Sequence, residues 1–236
     1  MLLRRLGAIL ILTTMELAFI LSNPAHAGEY LPVWDTQCAR GAEVTNGCAA
    51  IRAREGVDGA VYPWSALGRV NVAGLKNRSH CTGTLVGERL VVTAAHCLYV
   101  RSRKKWAAAT DVHFVAGYQQ GEFVAHSTAV RYVVADSYDT SGPDYDYRPR
   151  DDWALIVLER PIGATAGHLS WSALDGASIA QALGGGAHVG VAGYPGVRPH
   201  VPSIDRACGP PDFHGGGALL ALSCPTMKGD SGAPIL

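Results

Sequence analysis

The chain has 236 residues, with 20 Lys and Arg against 20 Asp and Glu, 48% hydrophobic and 17% charged residues, and 28 Gly and 13 Pro, which is the composition of a folded globular protein. A formal net charge of zero with no extended basic face excludes the electrostatic footprint that nucleic-acid binding demands. A chain this long buries an adequate core without metal or cofactor staples, so its six cysteines require a separate reason.

The N-terminus supplies one. Arg4 and Arg5 precede apolar stretches from Leu6 to Leu12 and Leu17 to Leu21, followed by Ala25-His26-Ala27. This is the layout of a secretory signal peptide over residues 1–27, with Gly28 as the first mature residue. Glu16 interrupts the apolar run and argues against a permanent membrane span. No other stretch approaches the ~18 apolar residues of a transmembrane helix. The expected product is secreted or periplasmic, leaves the membrane after signal cleavage, and meets an environment in which disulfides persist. Residues 28–54 read as an N-terminal extension or propeptide.

Beyond them the pattern is of strands. Short β-rich runs at Arg69–Val72, Thr84–Val86, Leu90–Thr93, Val112–Val115, Val130–Val134 and Trp153–Leu158 are separated by Gly, Pro and Asp clusters. Helical apolar periodicity is weak, and evenly spaced short strands indicate a barrel or sandwich. The basic run Arg101-Ser102-Arg103-Lys104-Lys105 reads as an exposed turn. Asp136 to Asp151 reads as a long solvated loop, because its carboxylates match no calcium-ligand spacing. Gly184-Gly185-Gly186 reads as a flexible turn, since no helix-forming run follows to make it a phosphate cradle.

Chemistry concentrates in three segments. Thr93-Ala94-Ala95-His96-Cys97 closes one β-rich run, Asp151-Asp152-Trp153-Ala154-Leu155 opens another, and Gly229-Asp230-Ser231-Gly232-Ala233 lies near the end. A serine hydroxyl is a poor nucleophile at neutral pH; it needs an imidazole to take its proton and a carboxylate to hold that imidazole in the correct tautomer. His96, Asp152 and Ser231 supply these roles, with Asp151 the competitor for the acid. The chain order excludes two rival folds. An α/β-hydrolase needs its acid and histidine after the serine, and a subtilisin-type order needs a motif-borne acid before His96.

In that order, Thr93 to Cys97, Asp152-Trp153-Ala154-Leu155 and Gly229-Asp230-Ser231-Gly232 resemble the three signature segments of the trypsin and chymotrypsin superfamily of serine endopeptidases. The likeness extends from about Val57 to Leu236, and includes Tyr62-Pro63-Trp64 at the entry to the first barrel and Val189 to Gly196 near the start of the second. It implies an all-β, chymotrypsin-like fold of two packed antiparallel β-barrels, the first over residues 55–165 with His96 and Asp152, the second over 166–236 with Ser231. Family members continue past the serine for several dozen residues, so the second barrel is expected to be incomplete at its C-terminal end. The resemblance favours Asp152 over Asp151, because the apolar strand and the small Ala154 follow from the catalytic carboxylate. It places the oxyanion hole at the backbone N–H groups of Gly229 and Ser231. It pairs Cys81 with Cys97, after which proximity suggests Cys38 with Cys48 and Cys208 with Cys224.

Departures from the family pattern bear on specificity. Pro225 stands where trypsin-like members carry a pocket Asp, so nothing there attracts Lys or Arg. Thr226 matches a residue with which glutamyl endopeptidases bind an acidic side chain, and Lys228 adds positive charge at the pocket rim. In the family the Asp before the nucleophile, here Asp230, commonly pairs with an amino terminus freed by cleavage. Candidate points lie after Arg52 and Arg54, although Glu55-Gly56-Val57-Asp58-Gly59 only loosely resembles the family start. The expected function is a secreted serine endopeptidase acting on protein or peptide substrates as a monomer, not trypsin-like in specificity; acidic P1 specificity is one reading left open, the other being Thr226 as a plain wall residue and Lys228 as a solvated surface charge. The alternative is an inert or vestigial secreted protein of protease fold, a binding module or truncated gene product. No cofactor is implied, and no His or Cys pair has metal-ligand spacing.

Overall fold

The computed structural model describes residues 46–73, 80–138, 140, 149–206 and 208–236, with residues 46–48 described by their backbone alone. The expected signal peptide, Cys38, the Cys48 side chain and most of the 136–151 loop therefore lie outside the described residues.

The chain opens with helix α1 (Asn46–Ala53), which leads into a two-residue strand β1 (Glu55–Gly56). A run of strands follows: β2 (Leu67–Val72), β3 (His80–Leu85), β4 (Leu90–Thr93), the small β5 (Tyr99–Val100) and β6 (Lys105–Trp106), β7 (Val112–Ala116), β8 (Ala125–Val134) and β9 (Ala154–Leu158). Six of these close an antiparallel barrel in the order β2-β3-β4-β9-β8-β7. Closure follows from period-two alternation, which sends one set of side chains inward. Val112, Phe114 and Ala116 of β7 and Ala154, Ile156 and Leu158 of β9 are buried, while residues between them are only partly covered. Phe114, Leu85, Val91, Leu98 and Ile156 fill the interior.

β8 begins five residues before the expected Val130, because its polar first half, Ala125-His126-Ser127-Thr128, pairs with β7. A bulge between Ala129 and Arg131 then shifts its register against β9. The basic run at 101–105 is exposed, as an outward turn should be.

The later half contains α2 (Gly163–Ala166), α3 (Gly176–Gly184), β10 (Val191–Gly193), β11 (Ser203–Asp205), β12 (Asp212–His214) and β13 (Leu219–Ala221). β10 and β11 form an antiparallel sheet whose other edge is β1. Ile235 bridges to Val191, and Leu236 exchanges two 2.9 Å backbone hydrogen bonds with Gly190. β12 and β13 form a separate hairpin. Among the described residues this half holds no closed barrel. β1 lies at the head of the stretch expected to form the first barrel, yet it pairs with β11. Val57, just beyond β1, packs with Leu67, Ala192 and Ile204 in a small core at the junction of the two halves.

The short helices differ from the all-strand reading. α3 fully buries no side chain; its short apolar stripe, Ile179 and Leu183, is half-covered, with Leu183 packed against Val189, Val191 and the Cys208–Cys224 disulfide. It starts on a cap, the Asp175 carboxylate accepting from the Ser178 N–H at 2.7 Å. Gly184-Gly185-Gly186 is the C-terminal end of this helix, with Gly186 in a left-handed conformation (φ 93°).

Candidate active site

β4 and β9 set the first pair of groups. Their antiparallel register pairs Thr93 with Ala154, which carries the residue two before Ala154 past the end of β4, alongside the turn that follows it. That turn is a 3₁₀ segment, Ala95–Leu98, and it presents His96. Asp152 meets it with both oxygens: Oδ1 accepts from the His96 backbone N–H at 2.8 Å, and Oδ2 lies 2.6 Å from Nδ1. The two side chains are only 16% and 14% exposed, so water competes weakly for these contacts. A carboxylate at Nδ1 keeps the proton there, leaving the Nε2 lone pair of the neutral ring outward. Asp151 makes no such contact; its backbone carbonyl accepts from the Trp153 N–H.

The serine segment reaches this pair from the other half of the chain. Thr82 of β3 donates its backbone N–H to the Ser231 carbonyl at 2.9 Å, and its hydroxyl donates to the Gly229 carbonyl at 2.8 Å. The same hydroxyl accepts from the Tyr194 N–H at 3.0 Å. Thr93 Oγ1 donates to the Thr82 carbonyl at 2.8 Å, fastening β4 beside it. Cys97 Sγ lies 4.0 Å from the Ser231 carbonyl, and the Cys81–Cys97 disulfide ties β3 to the histidine turn at this point. The second described disulfide joins Cys208 to Cys224 ahead of the serine segment.

Two glycines permit this approach. Gly232 has φ 79°, and a Cβ there would overlap Thr93 Oγ1 and the Thr82 carbonyl and lie 2.9 Å from the Ala94 nitrogen. Gly229 has φ 104°, and a Cβ would overlap the Tyr194 carbonyl and lie 2.8 Å from His80 Nε2. The Lys228 carbonyl accepts from the Gly196 N–H at 2.8 Å. Across a trans peptide the following N–H, that of Gly229, points the opposite way. The N–H groups of Gly229 and Ser231 have no acceptor among the described residues. Thr226 and Lys228 are exposed on this segment and Pro225 is partly covered.

The sequence marked neither His80 nor Thr82 as a site residue, and marked Arg54 only as a candidate cleavage point. His80 donates from Nε2 to the Tyr194 carbonyl at 2.8 Å, and burial, with Arg69, His200 and Lys228 nearby, pushes its pKa down to about 4. It is therefore neutral at neutral pH. Thr82 reads in sequence only as a strand residue. The guanidinium of Arg54 meets the buried carboxylate of Asp230 at 3.0 Å, a pairing between residues 176 apart that no local pattern announces. Burial pushes the Asp230 carboxyl up, while Arg54 and the Met227 N–H pull it down.

Two groupings of potential metal ligands occur among the described residues, Cys81 with His96 and Cys97, and Asp205 with Cys208 and Cys224. Their sulfurs are spent in disulfides, so neither offers a thiolate. A cleft of about 200 Å³ bounded by Val72, Val100, Trp106 and Asp111 contains none of the residues described above.

The Trypsin family model matches residues 54–201, more than half of the chain. The chain belongs to the trypsin family. Ser231 lies beyond the matched stretch, so its position in the site rests on the contacts with Thr82, Thr93 and Cys97. Among curated proteins the chain is similar to a glutamyl endopeptidase of Bacillus licheniformis, with 25% identity over 181 residues, 74% of this chain and 49% of that protein. It thus spans about half the length of the curated relative it matches. Among solved structures it resembles a Glu endopeptidase in complex with MPD, with 21% identity, a TM-score of 0.58, and 78% and 79% of the two chains covered. A thermostable serine protease from an extremophilic microorganism gives 19% identity, a TM-score of 0.55, and coverage of 73% and 78%. The protease Anisep from Arthrobacter nicotinovorans gives 17%, 0.56, and coverage of 77% and 80%. The chain thus combines membership of the trypsin family with a chymotrypsin-like fold and similarity to a glutamyl endopeptidase.

Proposed function

We propose that the chain is an exported serine endopeptidase working through Ser231, His96 and Asp152. The observation that carries this reading is the two-point grip of Asp152 on His96, with the serine turn hydrogen-bonded to Thr82 of the same barrel. Ser231 Oγ attacks the carbonyl carbon of a scissile peptide bond while His96 Nε2 takes the hydroxyl proton. Asp152 holds Nδ1–H and stabilises the imidazolium that forms. The developing oxyanion is received by the N–H groups of Gly229 and Ser231; one such donor is worth roughly 3 kcal/mol in the transition state. The imidazolium then protonates the departing amine as the C–N bond breaks, leaving an acyl-enzyme. Water attacks that ester with His96 again as base, and the carboxylic acid product leaves as the serine is restored.

We also propose an acidic residue at P1. No carboxylate stands at Pro225 to attract a basic side chain, and the Thr226 hydroxyl and Lys228 ammonium both flank the serine turn where a substrate carboxylate would be received. The similarity to a glutamyl endopeptidase supports this assignment. Two disulfides support a location outside the reducing cytosol, with residues 1–27 as the export signal.

The test is labelling with a fluorophosphonate serine-hydrolase reagent, beside Ser231→Ala, followed by cleavage profiling with a peptide library. Labelling confined to the parent, with cleavage after Glu or Asp, is the expected result. A soluble, folded parent that resists the reagent overturns the proposal.

A further inference from the structure

Asp230 is a carboxylate taken out of water, its side chain only 3% exposed, immediately before the proposed nucleophile. A charge so placed requires a partner of opposite sign. In the family that the sequence resembles this partner is commonly an amino terminus released by cleavage, and the position of Arg54 beside a candidate cleavage point suggests the same here. The geometry contradicts that arrangement. Arg54 lies between α1 and β1 with its side chain 1% exposed. Its Nη1 donates to Asp230 Oδ1 at 3.0 Å and its Nη2 to the Pro225 carbonyl at 2.5 Å. One guanidinium therefore fastens both ends of the segment 225–230, which contains Thr226, Lys228 and the Gly229 N–H. Inside that segment the other Asp230 oxygen accepts from the Met227 N–H at 3.1 Å, and the Asp230 N–H donates to the Met227 carbonyl at 2.9 Å.

The backbone at Arg54 is equally committed. Its carbonyl accepts from Arg198 Nη1 at 2.6 Å, and Glu55 begins β1 in register with Ile204. Ile51 of α1 packs on Met227. The 54–55 peptide bond is thus tied down on both sides, although Glu55 itself is exposed, and cutting it would detach the cation that Asp230 uses from β1.

We propose that the Arg54 guanidinium is a built-in counterion for Asp230 that positions the oxyanion turn, so that catalytic competence requires Arg54 to stay joined to β1 and needs no amino terminus created at residue 55. This rests on the serine-endopeptidase reading for its consequence in activity, but the positioning itself is measurable without activity.

The experiment compares the full chain with Arg54→Met, Arg54→Lys and the surface control Arg206→Ala, whose exposed partner is Glu55. It reads amide hydrogen exchange over residues 225–233 and the saturation kinetics of fluorophosphonate labelling. Arg54→Met is expected to speed exchange in that segment at least tenfold while barrel strands β4 and β7 stay protected. It is expected to lower the maximal labelling rate at least a hundredfold with little change in half-saturation. Arg54→Lys keeps the charge but not the reach to Pro225, and is expected to recover at least tenfold of the lost rate. If Arg54→Met unfolds the barrel as well, Arg54→Lys decides alone, by intermediate exchange and rate. Mass analysis of the labelled parent is expected to find Arg54 retained. Parent-like exchange over 225–233 in both Arg54 variants, or a labelled species beginning at Glu55, overturns the proposal. Faster local exchange in Arg54→Met with no labelling of the parent would sustain the positioning role and defeat the endopeptidase reading.

Discussion

Replacing Asp152 with Asn tests the acid–base pair at small steric cost. The side-chain carbonyl can still accept from the His96 N–H, as Oδ1 does at 2.8 Å, which directs the new NH₂ group toward Nδ1. Two donors cannot face each other, so the imidazole must shift its proton to Nε2, where it can no longer accept from Ser231. The imidazolium of the transition state also loses its counter-charge. With charge centres roughly 3.5 Å apart and an effective dielectric near 20, that attraction is about 5 kcal/mol, or between three and four decades in rate. The slight exposure of both groups trims the figure, so a fall of about 10³ to 10⁴ in the fluorophosphonate labelling rate is expected. Thermal unfolding should move little, because the backbone hydrogen bond survives. Asp151→Asn should label within about threefold of the parent. Asp152→Asn labelling within tenfold of the parent, or an equal loss in Asp151→Asn, would refute the tautomer argument.

Gly229→Ala places a methyl against the Tyr194 carbonyl and His80 at φ 104°; labelling should fall at least about 100-fold while the near-ultraviolet dichroism of the barrel aromatics persists. Thr82→Val deprives the Gly229 carbonyl and the Tyr194 N–H of their buried partner, at roughly 1–3 kcal/mol each, and should be read as a lowered urea midpoint together with slower labelling. His80 is neutral in the fold down to about pH 4 but titrates near 6.5 when unfolded, so the unfolded chain binds the extra proton between these values. Stability is expected to fall by about 3 kcal/mol as pH drops from 6.5 to 4 on this account, and the His80→Gln variant, compared by chemical denaturation, should lose less over the same window.

The sequence was most legible where one motif carried both chemistry and neighbourhood. His96 follows a strand-forming run and Asp152 precedes one, so pairing β4 with β9 was sufficient to bring them together. Segments whose stability is tertiary were less legible. The first half of β8 is polar and becomes a strand through its partner β7, and α3 is a nine-residue helix with a cap at Asp175 and only a short, half-covered apolar stripe. The roles of Thr82 and Arg54 were not legible for a related reason: they lie in contacts with residues more than a hundred positions away, so Arg54 read only as a candidate cleavage point. Asp230 did stand out as a carboxylate needing a cation, but composition cannot distinguish a freed amino terminus from an internal guanidinium.

These contacts divide the site into parts with different dependence on the rest of the fold. The His96–Asp152 pair is built by neighbouring strands of one closed barrel, whose core of Phe114, Leu85, Val91 and Ile156 does not involve the serine segment. Among the described residues the serine segment is held by long-range ties, from Thr82 on the barrel side and from Arg54, next to β1, on the other. β1 itself pairs with β11, so the cation that steadies the serine turn is anchored to the sheet of the later half. Lesions at Thr82 or Arg54 should therefore separate the nucleophile from an acid–base pair that is still intact. Lesions inside the barrel should instead remove all three groups together, and that difference distinguishes loss of positioning from loss of folding.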